Sequence, residues 1–331
     1  MTWFKTLTGF AEKNPTQVRA NLSLEGESII SSVNGKRFTC GTLEVPTLQS
    51  LRDAAPSLKE FDAKISIKEV VGNVQHFHVW EGNAGAMFQA ASQFNLLEMV
   101  GPDITPEEGI GIYQYDHTQG PACAIACGAG TIYRNYFAEV NGQIGQTADN
   151  QIDCLDEIGA MLGNADERLW QMRNGYALPG KEGLKQVTEH IQSLSQNDYR
   201  ALQGCLKIGL QLNTEVTLSE AKHLVSQAYC SALPVAYSSL SDHLWEAFAR
   251  IVLEASYEAT FYAALQNYRS TGNPSLYLTL VGGGAFGNKA EWIFDAIERA
   301  LQIFRATPLE VSMVSYGRSD KRTHDFVERV G

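Results

Sequence analysis

The run of residues 276–288, LYLTLVGGGAFGN, constrains the fold of this chain more than any other segment. Its apolar residues are Leu276, Leu278, Leu280 and Val281, and its glycines are Gly282, Gly283, Gly284 and Gly287. An apolar stripe at three- and four-residue spacing follows at Ile293, Ala296, Ile297, Ala300, Leu301 and Phe304. The pattern predicts a buried strand, a glycine loop and an amphipathic helix that packs against a sheet.

A strand, a glycine turn and a helix N-terminus are typical of an anion-binding site. Glycines let backbone N–H groups approach a phosphate closely, and the first helical turn adds a partial positive charge. Neither GxGxxG nor GxxxxGK[ST] is present, so the dinucleotide fingerprint and the P-loop are missing. A tight turn without a ligand is the alternative. Because such turns in open sheets often bind anions, a phosphorylated small molecule is the first ligand we expect.

Composition and charge limit the classes of function. The chain has 331 residues, of which 44% are hydrophobic, so it can bury a large core. Its net charge of −11 disfavours non-specific binding to nucleic acid and to anionic membranes. No apolar run reaches the ~18 residues of a membrane span, and the opening residues lack the order of a signal peptide. We therefore expect a cytoplasmic protein with no membrane and no nucleic-acid partner.

The six cysteines contain no CxxC pair. Cys123 and Cys127 are close in sequence and His117 lies near them, but a metal site normally needs paired ligands on both sides. We expect free, mostly buried thiols, no metal and no cofactor.

Patterns elsewhere in the chain mix strands with helices. A hairpin is expected within residues 18–45 around Asn34 and Gly35. Strands are predicted at residues 64–71, 74–80, 109–116, 206–218, 223–238 and 309–317, and one within 118–137. Helices are predicted from the turn at 82–85 to about residue 99, and at 150–163, 183–206 and 243–267, the last capped by Asp242.

This mixture predicts the α/β fold class, with a mixed sheet flanked by helices. No internal repeat or composition break is visible, so we expect a single domain over residues 1–331. Residues 1–70 are then an N-terminal helix and hairpin elaboration. Residues 71–331 form the core, with a helical insertion at about 150–206.

The segment 81–99, EGNAGAMFQAASQFNLLEM, is the first candidate for a functional site. On the predicted helix, Ser92, Asn95 and Glu98 lie beside an apolar face, from which they can reach a ribose hydroxyl. The alternative is that the alanines, Phe94 and Leu97 pack in the core while the polar groups face water. We prefer the functional interpretation.

Three further segments carry polar groups near predicted strand ends. Asp116 ends a predicted strand, where ligands bind in α/β folds, although an Asp there is as often an ordinary turn former. Arg134 can clamp a phosphate, but the alternation around it favours a half-buried strand. Cys230 and Ser231 lack a GxSxG elbow and a partner base, so a core strand is favoured over a nucleophile.

Two of these segments together resemble the macrodomain and poly(ADP-ribose) glycohydrolase superfamily. There, a strand-to-helix turn rich in Asn, Gly and Ala holds the distal ribose, and a later glycine loop wraps the diphosphate. FHVWEGNAGAMFQAASQFN is similar to the first and LTLVGGGAFGN to the second. The resemblance implies a macrodomain-like core with a ribose site at Asn83, Ala84 and Gly85. It implies a diphosphate site at Gly283, Gly284, Ala285, Phe286 and Gly287, and we expect the flanking Gly282 and Asn288 to contribute to ligand binding.

The resemblance implies that the ligand is ADP-ribose or an ADP-ribosylated protein, and that the activity is hydrolysis of the ADP-ribosyl linkage. The glycohydrolase signature of three glycines followed by Gln-Glu-Glu is absent. Cleavage at C1 of the ribose passes through an oxocarbenium-like state, which a carboxylate stabilises. The catalytic candidates are therefore Asp116, Glu98 and Glu81, in that order. A non-catalytic ADP-ribose-binding module and a scaffold that has lost the pocket remain as alternatives, and the oligomeric state is open.

Overall fold

The strands of the computed structural model, which describes residues 2–331, form one large sheet and three small ones. In chain order the strands are β1 (Leu22–Glu25), β2 (Ser28–Ser31), β3 (Arg37–Thr39), β4 (Thr42–Glu44), β5 (Ser66–Val71), β6 (Met87–Ala91), β7 (Glu139–Val140), β8 (Gln143–Ile144), β9 (Trp170–Arg173), β10 (Tyr176–Pro179), β11 (Gly209–Glu215), β12 (Leu224–Cys230), β13 (Ser275–Leu278) and β14 (Glu310–Ser315). The large sheet has the order β4-β11-β12-β6-β13-β14-β5.

Five neighbouring strands of the large sheet, from β12 to β5, run parallel. Strand β11 pairs antiparallel with both β12 and β4. The sheet is therefore mixed and is flanked by helices, which confirms the predicted fold class. Because parallel strands end at the same edge, the loops that follow all five meet there.

The helices cover both faces of this sheet. In chain order they are α1 (Trp3–Thr8), α2 (Pro15–Asn21), α3 (Leu48–Ala54), α4 (Val74–Val79), α5 (Gln119–Ala126), α6 (Gly128–Tyr136), α7 (Asp156–Leu162), α8 (Lys181–Ser193), α9 (Gln196–Gly204), α10 (Asp242–Thr271), α11 (Ala290–Ile303) and α12 (Lys321–Val330). Helix α10 packs on β12, β13 and β6 and against α3, α8 and α11, so it is buried on nearly every side. No helix within residues 2–331 is long and apolar enough to cross a membrane.

A buried ion cluster ties α10 to its neighbours. The carboxylate of Glu258 is fully buried and accepts hydrogen bonds from Arg52 Nε (2.7 Å) and Arg299 Nη1 (2.6 Å). Although burial acts to raise it, the hydrogen bonds from the two arginines hold the pKa of Glu258 below its ordinary value of 4.5.

Substitution Glu258→Gln should lower the free energy of unfolding at pH 7 by about 3 kcal/mol, because the buried Arg52 loses its counter-charge and Arg299 keeps only Glu254, at 3.8 Å. A carboxyl group with a lowered pKa stabilises the fold above its ordinary pKa, and that contribution is lost as the pH falls through the lowered value. The difference between variant and wild type should therefore shrink in acid. Urea unfolding at pH 7 and at pH 3 measures the difference in free energy of unfolding between wild type and variant. An equal difference at the two pH values would contradict the lowered pKa of Glu258.

Four predicted elements are wrong. Residues 74–80 form helix α4 rather than a strand, because the Asn73 side chain caps it by accepting from Gln75 N. Residues 111–115 form a 3-10 helix, and the strand predicted within 118–137 is the helix pair α5 and α6. The helix predicted up to residue 99 is strand β6 followed by a loop.

Two of these errors, at β6 and at the helix pair α5 and α6, have a common physical cause, which is close packing. Strand β6 lies in the middle of a parallel sheet and is buried on both faces, so it shows no alternation of apolar and polar residues. The small residues of α5 and α6 let these helices pack closely against neighbouring backbone and side chains. A Cβ at Gly120 would lie 1.9 Å from the Ala91 carbonyl oxygen, and one at Gly130 would lie 2.8 Å from Gln211 Cγ.

Other predictions agree with the structure. The hairpin around Gly35 is β2 and β3, and β4 leaves it to join the large sheet. Residues 150–206 contain the helices α7, α8 and α9, and also the hairpin of β9 and β10, which the sequence pattern does not predict. Helix α10 begins at Asp242, with Ser241 rather than Asp242 as its N-cap. The apolar stripe of α11 is buried as predicted.

The N-terminal region forms a second hydrophobic cluster, separate from the main core. Phe4, Leu7 and Phe10 pack there with residues from the middle of the chain. Those residues include Leu97, Met99, Ile110 and Tyr113. The N-terminal helix and the loop that follows β6 therefore belong to the same hydrophobic cluster.

Candidate functional site

A cleft of about 670 Å³ opens at the edge of the sheet where its parallel strands end. Each of the five strands supplies lining residues near its carboxyl end, and the first turn of α5 completes the wall. The contributions are residues 72–75 after β5, 92–93 after β6, Ala232 after β12, 279–282 and 284–286 after β13, and Tyr316 after β14. Ligands of open α/β sheets bind at this edge, and the volume suits a nucleotide-sized molecule.

The loop between β13 and α11 lines the cleft, as the glycine pattern predicts. Gly282 has a φ of +73°, and a Cβ there would lie 2.4 Å from the Cβ of Ala232. Asn288 closes the loop, because its backbone N–H donates to the Gly282 carbonyl (2.9 Å) and its Nδ2 donates to Leu233 O (2.8 Å). Position 282 therefore requires glycine for both conformation and space.

Gly283, Gly287 and Asn288 support the loop from behind rather than lining the cleft. Gly287 has a φ of +72°, and a Cβ there would lie 2.7 Å from the Cβ of Ala236. A Cβ at Gly283 would lie 3.1 Å from Cδ1 of Ile293 in α11. These predicted ligand-binding residues thus fix the shape of the loop.

The loop offers backbone donors to the cleft. The N–H groups of Gly282, Gly284, Ala285 and Phe286 donate to no acceptor anywhere in residues 2–331. Unpaired N–H groups on successive residues bind anionic oxygen atoms such as those of a diphosphate. The anion site predicted from the sequence therefore has donors available at the expected place.

Three aromatic side chains form one wall of the cleft. The ring of Phe286 lies 5.3 Å from that of Tyr176 and 5.7 Å from that of Tyr237. Tyr176 is fixed further, because its hydroxyl donates to Met99 O (2.8 Å). An aromatic surface of this kind stacks with a nucleobase. Sequence reasoning missed Tyr176 and Tyr237, since Tyr176 belongs to the unpredicted hairpin and Tyr237 lay in a predicted core strand.

Glu98 is the charged group in the cleft with the most perturbed environment. Its side chain is 1% exposed, and neither carboxyl oxygen has a hydrogen-bond partner within the described residues. Burial raises the pKa of Glu98 from 4.5 to about 8, and Arg134, whose Nη2 lies 3.9 Å away, offsets this in part. Because 3.9 Å is too long for a hydrogen bond, desolvation dominates. The raised pKa favours the protonated form of Glu98, the state in which a carboxyl group acts as a general acid.

The surroundings of Glu98 fix it in place. Its backbone N–H donates to the Tyr113 hydroxyl (3.0 Å). Gly120 of α5 passes so close that a Cβ there would lie 3.0 Å from Glu98 Cγ. Arg134 is held in turn, since it stacks 3.6 Å over the ring of Tyr229 and donates to Leu96 O (3.1 Å). Such a preorganised carboxyl group needs little rearrangement to react.

Asp116 and Ser92 also line the cleft. Asp116 is half-exposed and follows the 3-10 helix, where its Oδ1 accepts from Thr118 N (2.8 Å). Ser92 is mostly buried and donates to Gln93 O (3.1 Å). The fold therefore brings Ser92, Glu98 and Asp116 together, on different elements from those predicted.

Four predicted site residues lie away from the cleft. Glu81, Asn83, Ala84 and Gly85 precede β6 and lie at its amino end, whereas the cleft is at the carboxyl end. There the side chain of Asn267 donates to Gly85 O (2.7 Å). A helix starting at this turn was expected to bring these residues to the ligand, but a strand of five residues separates the two ends instead.

Asn95 and Arg134 have structural contacts rather than access to the cleft. Asn95 is fully buried, donates to Gln151 Oε1 (2.8 Å) and accepts from Leu97 N (3.1 Å). Arg134 is fully buried in α6, rather than on the half-buried strand that the alternation around it predicts. Cys230 ends β12 in the core, as the favoured interpretation predicted, and all six cysteines are free. Among residues 2–331, no cluster of three or more His, Cys, Asp or Glu side chains can hold a metal ion.

No protein-family model and no curated protein matches this chain. Solved structures of poly(ADP-ribose) glycohydrolases are similar to it. The Thermomonospora curvata structure bound to the inhibitor ADP-HPD is 12% identical, with a TM-score of 0.45 over 95% of this chain and 96% of that one. The Deinococcus radiodurans structure in complex with ADP-ribose is 8% identical, with a TM-score of 0.46 over 86% and 91% of the two chains. These structures carry the name of the family that the sequence motifs resemble.

Proposed function

We propose that this protein binds ADP-ribose in the cleft and hydrolyses the bond between C1 of the distal ribose and the group attached to it. The observation that carries the proposal is the combination, in one cleft, of a buried carboxyl group without a hydrogen-bond partner in residues 2–331 and a loop of unpaired N–H donors. The donors of Gly282 and residues 284–286 suit the diphosphate. The aromatic wall of Tyr176, Tyr237 and Phe286 suits the adenine.

In the proposed reaction, Glu98 gives its proton to the leaving atom as the bond to C1 breaks, and the bonding electrons leave with that atom. Water then adds to the oxocarbenium-like C1, and its proton passes to Asp116 or to solvent. Glu98 must be protonated for the first step, and its raised pKa provides this at neutral pH. Asp116 has an exposed edge and suits the second step.

ADP-ribose should raise the melting temperature of the protein. At a concentration one hundred times Kd, binding to the native state adds about 2.7 kcal/mol to the free energy of unfolding. Calorimetric titration gives Kd, and thermal unfolding gives the shift. Adenosine is the control, because it has the base and one ribose but no diphosphate for the loop. An equal shift with adenosine would contradict the role of the glycine loop.

A non-cleaving ADP-ribose-binding module is the second candidate, because the side chain of Glu98 is only 1% exposed. Incubation with an ADP-ribosylated protein separates the two, since hydrolysis releases free ADP-ribose and a binding module releases none. If calorimetry shows no heat of binding at millimolar ADP-ribose and no ADP-ribose is released from the modified protein, the remaining interpretation is a scaffold protein that has lost the pocket.

A further inference from the structure

A carboxylate outside the cleft holds the 3-10 helix of residues 111–115. Glu12 lies in the segment between α1 and α2, far before that helix in the chain. Its Oε2 accepts a hydrogen bond from Gly111 N (2.6 Å), and its Oε1 accepts one from Ile110 N (3.1 Å). The first N–H groups of a helix have no partner within the helix, so Glu12 supplies the acceptors that this end lacks.

The backbone beside Glu12 is shaped to receive its carboxyl group. A Cβ at Gly109 would lie 2.7 Å from Glu12 Cδ, and one at Gly111 would lie 2.7 Å from Glu12 Oε2. Gly109 also has a φ of +90°, a backbone conformation that favours glycine. Two glycines therefore let the start of the 3-10 helix approach the carboxylate closely.

The same carboxylate is bonded to a second element. Tyr136 is the last residue of α6 and is buried, and its hydroxyl donates to Glu12 Oε1 (2.5 Å). One carboxyl group thus bonds the start of the 3-10 helix and the end of α6. The separation between these two elements therefore depends on Glu12.

Both of the linked elements reach Glu98. The 3-10 helix contains Tyr113, whose hydroxyl accepts from Glu98 N (3.0 Å). Helix α6 contains Arg134, whose Nη2 lies 3.9 Å from Glu98 Oε1. Arg134 Nε also donates to Leu96 O (3.1 Å), in the loop that carries Glu98. Glu98 is therefore supported by two elements that Glu12 holds together.

We infer that Glu12 is a positioning residue for the reaction, which holds Tyr113 and Arg134 in place around Glu98 without touching the substrate. This inference rests on the proposed function of the cleft. Glu12 itself does not line the cleft. Its effect on the rate can still be large, because misplacing a reacting group by about 1 Å can cost roughly a hundredfold in rate.

Glu12→Gln tests the inference with almost no change in the volume of the side chain. In either orientation of the amide, its NH2 group faces the backbone N–H of Ile110 or of Gly111, so one of these two hydrogen bonds is lost. The kcat for release of ADP-ribose from a modified protein should fall about tenfold to a hundredfold. The calorimetric Kd for ADP-ribose should stay the same, because Glu12 contacts no part of the cleft wall that binds it.

The titration of Glu98 separates positioning from a simple loss of stability. Titratable or charged groups act on Glu98 from the 3-10 helix, the residue after it, α5, α6 and β12, namely Tyr113, Asp116, Cys123, Arg134 and Tyr229. Burial is the largest influence on the pKa of Glu98, so looser packing around its carboxyl group should lower that pKa. The alkaline limb of turnover in Glu12→Gln should therefore move to lower pH.

Infrared spectroscopy follows the same titration without turnover. The stretching band of the protonated Glu98 carboxyl group is identified by its absence in Glu98→Gln, and in Glu12→Gln it should disappear at lower pH than in wild type. If wild type releases ADP-ribose from no substrate, the proposed function fails, while the infrared titration still tests the positioning of Glu98.

Two further variants control for folding. Tyr136→Phe removes only the bond between Glu12 and α6, so its kcat should fall less, and it carries the test if Glu12→Gln does not fold. Leu22→Ala is the matched control, since Leu22 is buried in the same N-terminal cluster but lies on β1, away from the cleft. A lower melting temperature in Glu12→Gln with unchanged kcat and unchanged Glu98 titration would overturn the inference. Equal losses of kcat in Glu12→Gln and Leu22→Ala would also overturn it.

Discussion

Glu98→Gln should reduce hydrolysis of an ADP-ribosylated substrate by about a hundredfold to ten-thousandfold, the range in which a general acid contributes. Gln has nearly the shape of the protonated carboxyl group but cannot release a proton to the leaving atom. Affinity for ADP-ribose should stay within a few fold, because the diphosphate and the base contact other residues. Release of ADP-ribose under single-turnover conditions measures the rate, and calorimetry measures the affinity.

The pH dependence of the wild type provides the control for this interpretation. Since the protonated form of Glu98 is the active one, turnover should be constant below its pKa and fall as the pH rises through about 8. The residual activity of Glu98→Gln should lack this alkaline limb. A loss of less than tenfold in Glu98→Gln and also in Asp116→Asn would exclude catalysis by a carboxyl group of this cleft.

Stability gives an independent check on the same pKa. Because folding raises the pKa of Glu98 above 4.5, its contribution to stability is complete below that value and is lost as the pH rises to about 8. Glu98→Gln has no such loss, so the variant should gain stability relative to wild type between pH 4 and pH 8. A stability difference that does not change over this interval would contradict the raised pKa.

Gly282→Ala should abolish ADP-ribose binding and lower the free energy of unfolding by about 2 to 4 kcal/mol, from left-handed backbone strain and overpacking together. The added Cβ meets Ala232 Cβ at 2.4 Å and Asn288 Nδ2 at 2.6 Å, so the loop must move. Its N–H donors then leave the positions that suit the diphosphate. Thermal unfolding and calorimetry measure the two effects.

Gly284 offers the matched control within the same loop. Its φ is not positive, and a Cβ there meets no atom within 4 Å, so Gly284→Ala should keep both stability and binding. Gly284→Leu should keep the stability but weaken binding, because Gly284 lines the cleft and the larger side chain fills it. If Gly282→Ala and Gly284→Ala had the same affinity for ADP-ribose, ligand binding would not depend on the geometry of this loop.

The parts of the site that could be predicted are those that local sequence determines. Strand β13, the glycine loop and α11 follow each other directly, and their pattern has no other interpretation of comparable quality. Glu98 was identified as a candidate although its element was wrong, because a polar group beside an apolar face was visible in the sequence. Its raised pKa was not visible, since the burial that raises it results from packing against residues distant in the chain, such as Gly120.

The remaining parts depend on contacts that no local pattern encodes. The aromatic wall joins Tyr176, Tyr237 and Phe286 from three segments of the chain. Strand β6 shows no alternation of apolar and polar residues, because both of its faces are buried. The turn of residues 82–85 looked like part of a ligand site because of its Asn and Gly. In the structure, a Cβ at Gly85 would meet the side chain of Thr271 at 3.0 Å, so that glycine is explained by packing against the end of α10.

Glu98 lies at the boundary between the two hydrophobic clusters of the molecule. Leu96 before it packs in the main core, while Leu97 and Met99 pack with Phe4 and other N-terminal residues. The proton affinity of this carboxyl group is therefore set by two cores that can accumulate substitutions separately. A change in the first helix that touches no ligand can retune the pH range of the reaction, so the working pH can evolve without any change in the residues that bind substrate.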